Sequence, residues 1–198
     1  APTEKFYTEF AGRFSENFCP VEDLQRIGVI NQTTMLASDT QAIEDFVKTV
    51  MINKYGLDAQ KTEERFADTR DTLCYATNDN QSAVYGLLKQ DADMAIVVGG
   101  YNSSNTSHLV ELCEEKLTTY FISDAGKITA ENKIFHFDLH THQEKETINF
   151  LPEKKTLRIL ISSGASCPDA VVEAVIKKIA ALKEAENTLM VQEKLLTN

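Results

Sequence analysis

Ile96-Val-Val-Gly-Gly-Tyr-Asn-Ser-Ser-Asn-Thr-Ser-His108 passes from an apolar run to a glycine pair and then to a run of hydroxyls and amides. Ile96, Val97 and Val98 read as a short buried strand cut by Gly99-Gly100. A helical pattern begins after Asn102. A strand, a turn and a helix N-terminus follow one another, and the free N–H groups and positive dipole end of such a helix suit a phosphate or diphosphate. Ser and Asn are also ordinary N-caps, and capping alone accounts for them equally well.

The same alternation extends in both directions. Before it, Arg26–Asn31 reads as a compact strand followed by Gln32-Thr33-Thr34. A helix comes next, with Ser38 and Gln41 as a capping box, Ile43, Phe46, Val47, Val50 and Met51 as its apolar face, and Gly56 as its stop. Phe6, Phe10 and Phe14 predict an earlier helix stripe, with a loop over 15–23 broken by Pro20. Residues 57–70 read as charged surface. A helix starting at Asn78 is expected to bury Ala83, Val84, Leu87 and Leu88.

After the opening stretch, Leu109, Leu112 and Cys113 give the inner side of a helix, and 118–123 and 157–162 read as strands. Ser163-Gly-Ala-Ser-Cys-Pro168 turns into the longest helix, with Pro168 at its first position and Val171, Val172, Val175, Ile176 and Ile179 inward. Strands alternating with helices predict an α/β fold with parallel sheets covered on both faces, whose ligands lie at the carboxyl ends of the strands. Thr33, Cys74, Ser103–Asn105 and Ser166 are expected at that edge.

Residues 124–155 break the pattern. Phe135, Phe137 and Leu139 alternate with His136, Asp138 and His140, which predicts an extra strand or hairpin inserted between two sheet strands. His136, His140 and His142 invite a metal, but on a straight strand the outer pair stands roughly 20 Å apart, too far to share an ion. Residues 184–198 read as a polar tail that docks elsewhere or frays.

With 198 residues, 42% of them hydrophobic and 25% charged, the chain can bury a core. A formal net charge of -10 without a Lys/Arg cluster argues against nucleic acid. No apolar stretch resembles a signal peptide or a membrane span. Cys19, Cys74, Cys113 and Cys167 show no zinc-type spacing, so free thiols in a reducing compartment are expected. Cys74 stands just before a helix, where a thiolate is stabilised by the dipole, although a lone cysteine is more often a small buried hydrophobe. No Ser-His-Asp constellation or G-x-G-x-x-G fingerprint is present.

Four strings together carry a resemblance: Asn31-Gln-Thr-Thr-Met35, Asp71-Thr-Leu-Cys-Tyr-Ala-Thr77 with Gln81, Val97–His108, and Ser163-Gly-Ala-Ser-Cys-Pro-Asp169. In that order they resemble the 4-hydroxy-3-methylbut-2-enyl diphosphate reductase (LytB) family of non-mevalonate isoprenoid biosynthesis. The resemblance runs from about residue 4 to about residue 183. The Asn-Ser-Ser-Asn-Thr-Ser-His wording and the 124–155 insertion are similar to the longer form of plants and some bacteria.

The resemblance implies a fold of three pseudo-symmetric α/β domains, of which 1–66 would be the later half of the second and 67–183 the third. It implies a [4Fe–4S] cluster held by three cysteines, of which Cys74 matches one. The iron without a protein thiolate takes the substrate's hydroxyl, which two electrons and protons remove as water. Ser103, Ser104, Asn105 and Ser166 match the diphosphate-binding residues. Thr33 matches the threonine that hydrogen-bonds the substrate hydroxyl in the proton relay.

Implied partners are the allylic diphosphate substrate, an electron donor such as ferredoxin or flavodoxin, and the amino-terminal portion that carries the family's other cluster cysteines. The implied location is bacterial cytoplasm or plastid stroma. Residues 1–198 are thus expected to be a carboxy-terminal portion, inactive by itself and without a full cluster. The alternative is a stand-alone diphosphate-binding module without redox chemistry.

Overall fold

A computed structural model describes residues 2–67 and 74–196, with backbone alone at 59–60 and 185–196. The chain divides into two compact units, Ala1–Leu73 and Cys74–Asn198.

In the first unit, α1 (Pro2–Glu9) ends sooner than the phenylalanine spacing predicts, because the chain reverses through Gly12 at φ 73°. The rings still meet: Phe6 lies 4.8 Å from Phe10 and 5.6 Å from Phe18, centroid to centroid. The expected loop over 15–23 contains a short helix, α2 (Pro20–Asp23), which Pro20 opens; Asp23 Oδ2 accepts from the Cys19 N–H at 2.7 Å. The predicted strand at 26–31 shrinks to β1 (Ile27–Gly28).

α3 (Ala37–Tyr55) has Leu36 as its N-cap, not Ser38, and Gln41 donates to Asp45 instead of closing a capping box. It ends where foreseen, at Gly56 in the left-handed region that glycine adopts without a Cβ penalty. Its buried face is Thr40, Glu44 and Met51, whereas Ile43, Phe46 and Val50 are 48%, 69% and 45% exposed. Of the expected apolar face, Met51 is buried, whereas Ile43, Phe46 and Val50 point outward. The stretch read as charged surface forms α4 (Ala59–Arg65), capped by Asp58, and β2 (Phe66–Ala67), which pairs parallel with β1.

The second unit holds a parallel three-stranded sheet in the order β4-β3-β7, made of β3 (Met94–Val98), β4 (Thr119–Ile122) and β7 (Ile159–Ser163). β3 is buried at every position, as a central parallel strand must be. Met94, Ile96 and Val98 pack with Tyr120, Ile122, Val175, Ile179 and Leu182 in one core. α5 (Tyr75–Leu87) and α6 (Ser104–Glu114) also pack against the strands, and α6 buries Leu109, Val110, Leu112 and Cys113.

α5 starts three residues earlier than expected, on a Cys74 cap; its inner face is Thr77, Gln81, Val84 and Leu88, so Val84 and Leu88 are buried as expected while Leu87 and Ala83 are exposed. α7 (Asp169–Leu196) begins just after Pro168 and continues through the stretch read as a tail. Val175 and Ile179 face inward as expected, but Ile176 is 47% exposed.

The insertion is a hairpin. β5 (Lys133–Asp138) and β6 (Gln143–Ile148) pair antiparallel, from Lys133 opposite Ile148 to Asp138 opposite Gln143. Its histidines go to separate partners: His136 Nε2 lies 3.0 Å from Thr147 Oγ1, and His140 Nε2 lies 3.2 Å from Glu114 Oε2. Tyr101, just after the glycine pair, stacks on Phe137 of the hairpin at 4.7 Å.

Candidate anion site at the carboxyl edge of the sheet

The three strands of the second unit end at one level, tied by Gly99 N–H to Ile122 O and Gly164 N–H to Val98 O, each at 3.0 Å. Immediately beyond lie the two serine-rich turns. In the first, Ser103 is the N-cap of α6 and its Oγ accepts from the Thr106 N–H at 3.3 Å. That cap serves one of the orphan donors of the first turn. Helix geometry leaves the Ser104 and Asn105 N–H groups without intrahelical partners.

In the second turn, the Cys167 N–H closes on Gly164 O at 2.9 Å, so Ala165 and Ser166 form its exposed tip. α5 reaches the same edge through Asn80, whose Nδ2 donates to Ser163 O at 3.2 Å. Cys74 caps that helix, six residues earlier along it.

The polar side chains here are unevenly satisfied. Asn105 is only 5% exposed, and neither its Nδ2 nor its Oδ1 has a hydrogen-bond partner among the described residues. Thr106, fully buried, has an unpartnered Oγ1 as well. Buried orphans of this kind call for a reason, since each costs about 1–3 kcal/mol.

Cys74 is exposed. Its Sγ lies 3.0 Å from Thr77 Oγ1 and accepts from the Thr77 N–H at 3.4 Å. These two bonds hold its thiol below the ordinary value and favour the thiolate. The other cysteines of the unit behave oppositely. Burial pushes Cys113 up to about 12, and burial with the nearby Asp169 carboxylate pushes Cys167 up. Cys19 is the N-cap of α2, in the other unit.

Of the residues singled out from sequence, Cys74, Ser103, Ser104, Asn105 and Ser166 belong to the second unit. Thr33 does not join their sheet; it sits exposed in the turn after β1, which among the described residues pairs with β2. Asn80, Thr77, Thr106 and Gly164 escape a motif reading. Thr77 had one usable signal, its i+3 spacing from a helix-capping Cys74. Gly164 had another, since it ends its strand as Gly99 does.

A [4Fe–4S] cluster requires at least three thiolates. Cys74 has the exposure and thiolate character of one ligand. Among the described residues no group of three His, Cys, Asp or Glu is placed to hold a metal. The described residues by themselves therefore do not fit the group, and no step through it follows from them.

A model of the LytB protein family matches residues 8–180. The 4-hydroxy-3-methylbut-2-enyl diphosphate reductase of Crocosphaera subtropica is 41% identical over 183 residues, covering 92% of this chain and 44% of that protein. The reductase of the same name from Thermosynechococcus vestitus is 42% identical over 179 residues, with 90% and 43% covered. This chain thus spans less than half the length of these curated relatives. A solved structure of the E-1-hydroxy-2-methyl-but-2-enyl-4-diphosphate reductase from Plasmodium falciparum aligns over 77% of this chain and 38% of its own, with 20% identity and a TM-score of 0.49. With the family match running over most of its length, the chain belongs to the LytB protein family.

Proposed function

We propose that this chain is the carboxy-terminal portion of a 4-hydroxy-3-methylbut-2-enyl diphosphate reductase, whose product is isopentenyl and dimethylallyl diphosphate. In this reading Ser103, Ser104, Asn105 and Ser166 hold the substrate's diphosphate and Cys74 is one thiolate ligand of the [4Fe–4S] cluster. Thr33 hydrogen-bonds the substrate hydroxyl. The remaining thiolates and acid–base groups come from polypeptide outside these 198 residues. Electrons come from a donor such as ferredoxin or flavodoxin, in bacterial cytoplasm or plastid stroma. Among the described residues no helix is long and apolar enough to cross a membrane.

The observation that carries the anion site is the Asn105 carboxamide, buried without a partner beside the free N–H groups of α6. Turned outward, its Nδ2 would donate to a phosphate oxygen already drawn there by the helix dipole and the Ser104 and Asn105 N–H groups. The orphaned arrangement is the costlier one, so anion binding relieves it.

Titration of the chain with inorganic pyrophosphate, followed by amide NMR against chloride at matched ionic strength, tests the site. Shifts at Ser103–Asn105 and Ser166 that vanish in Asn105→Ala are expected; no shifts there would refute it. Half a site predicts weak affinity, roughly millimolar. Binding about a thousandfold tighter would instead favour a stand-alone diphosphate module. Chain reconstituted anaerobically with iron and sulfide should carry no stoichiometric iron and leave the substrate unreduced, and a brown, active preparation would overturn the reading.

A further inference from the structure

The two serine-rich turns are joined through one side chain. Thr106, in the first turn of α6, is fully buried between the ends of β3 and β7. A Cβ added at Gly99 would stand 2.9 Å from both its Cγ2 and its Oγ1, and one added at Gly164 would stand 2.0 Å from its Oγ1. Neither glycine has a positive φ, so space and not backbone conformation requires glycine at both places. Both branches of the threonine are engaged, which leaves it little room to yield by rotation.

We propose that Thr106 is a positioning residue, a wedge seated against Gly99 and Gly164 that fixes the Ser103–Asn105 turn relative to the Ser166 turn, so that one diphosphate can span both. The inference rests on reading the two turns as a single diphosphate site. The wedge acts by shape. Its hydroxyl has no hydrogen-bond partner among the described residues, and valine, with the same outline, should serve as well. Gly164→Ala puts a methyl where Oγ1 stands. Because Gly99 blocks retreat toward β3, α6 and the Gly164–Ser166 turn must part. Removing both branches by Thr106→Ala leaves that methyl facing only the Thr106 Cβ position, at 3.3 Å, a gap that a small adjustment accommodates.

The experiment is the pyrophosphate titration by amide NMR, run on wild type, G164A, T106A, T106V and the G164A/T106A pair, with thermal unfolding of each. In the wild type the Ser103–Asn105 and Ser166 amides should titrate together with one affinity. In G164A the affinity should fall about tenfold or more, the scale of a lost hydrogen bond to a charged group, and the two sets of amides should titrate apart. T106A, which removes the wedge, should bind more weakly than wild type; the double variant, whose added methyl takes up the space that Oγ1 vacates, should bind more tightly than G164A with the two sets together again, and T106V should bind as wild type.

Wild-type affinity in G164A or in T106A, no recovery in the double variant, or a G164A-like loss in T106V would overturn the wedge. Absence of shifts in the wild type would overturn the diphosphate site and, with it, the positioning role. Thermal unfolding separates that failure from one of the wedge itself, because recovery of the G164A midpoint by T106A upholds the contact without any anion.

Discussion

Asn105 is the residue at which binding and stability should be opposed. Its side chain is buried, and both of its polar atoms lack partners among the described residues. Leaving a buried polar group unsatisfied costs about 1–3 kcal/mol. Leucine at this position has the same number of side-chain heavy atoms with the same branching, no polar atoms and a better helix propensity. Asn105→Leu should therefore raise stability by about 1–3 kcal/mol, with each kcal/mol worth roughly 3–6 °C of melting midpoint for a unit of this size. The same change should abolish the pyrophosphate shifts at Ser103–Asn105 and Ser166. Scanning calorimetry and the NMR titration on one sample measure both. A variant that melts below the wild type would show that the carboxamide is hydrogen-bonded in the folded protein. A variant that melts higher yet keeps the pyrophosphate shifts would show that Asn105 is not the anchor.

Cys74, held below the ordinary thiol value chiefly by its bond with the Thr77 side chain, should be alkylated faster at neutral pH than Cys167 or Cys113. Because its thiolate fraction rises with pH, Thr77→Val should move the rate–pH midpoint upward; an unchanged profile would refute the assignment. Gly99→Ala, which drives a methyl to 2.9 Å from Thr106, should cost about 1–3 kcal/mol as overpacking, read from urea midpoints. Met51→Ala, at a site 2% exposed on α3, should cost about 2–5 kcal/mol in the first unit by the same measurement. Phe46→Lys, on the outward apolar face of α3, should leave stability nearly unchanged and reduce concentration-dependent association in light scattering.

How legible each part was depends on how many neighbours decide it. β3 is a continuous apolar run between turn signals, and its burial on both faces leaves few alternatives to a central parallel strand. The hairpin of 133–148 showed in the alternation of Phe135 and Phe137 with His136 and Asp138, but the residue it sends into the core is Ile134, on the face of His136 and not of the phenylalanines. α3 misled as well. Its pattern of Ile43, Phe46 and Val50 states correctly that the helix has an apolar face, but periodicity cannot say what covers that face. The start of α5 was missed because a cysteine is an unusual cap, and its inner stripe of Thr77, Gln81, Val84 and Leu88 was read only in part because two of the four are polar.

In the candidate site, the residues proposed to meet an anion were readable while those proposed to arrange them were not. Ser103, Ser104 and Asn105 lie at a strand-to-helix turn, where the chemistry follows from local order in the chain. The contact of Thr106 with Gly164 joins two segments far apart in sequence, and nothing in either string announces it. Yet the short distance at Gly164 and the unpartnered Thr106 hydroxyl point the same way. Valine in place of Thr106 keeps the outline and should serve as well; what marks the position is that glycine is required opposite it at both strand ends, and that pairing is what ties the two turns into one site.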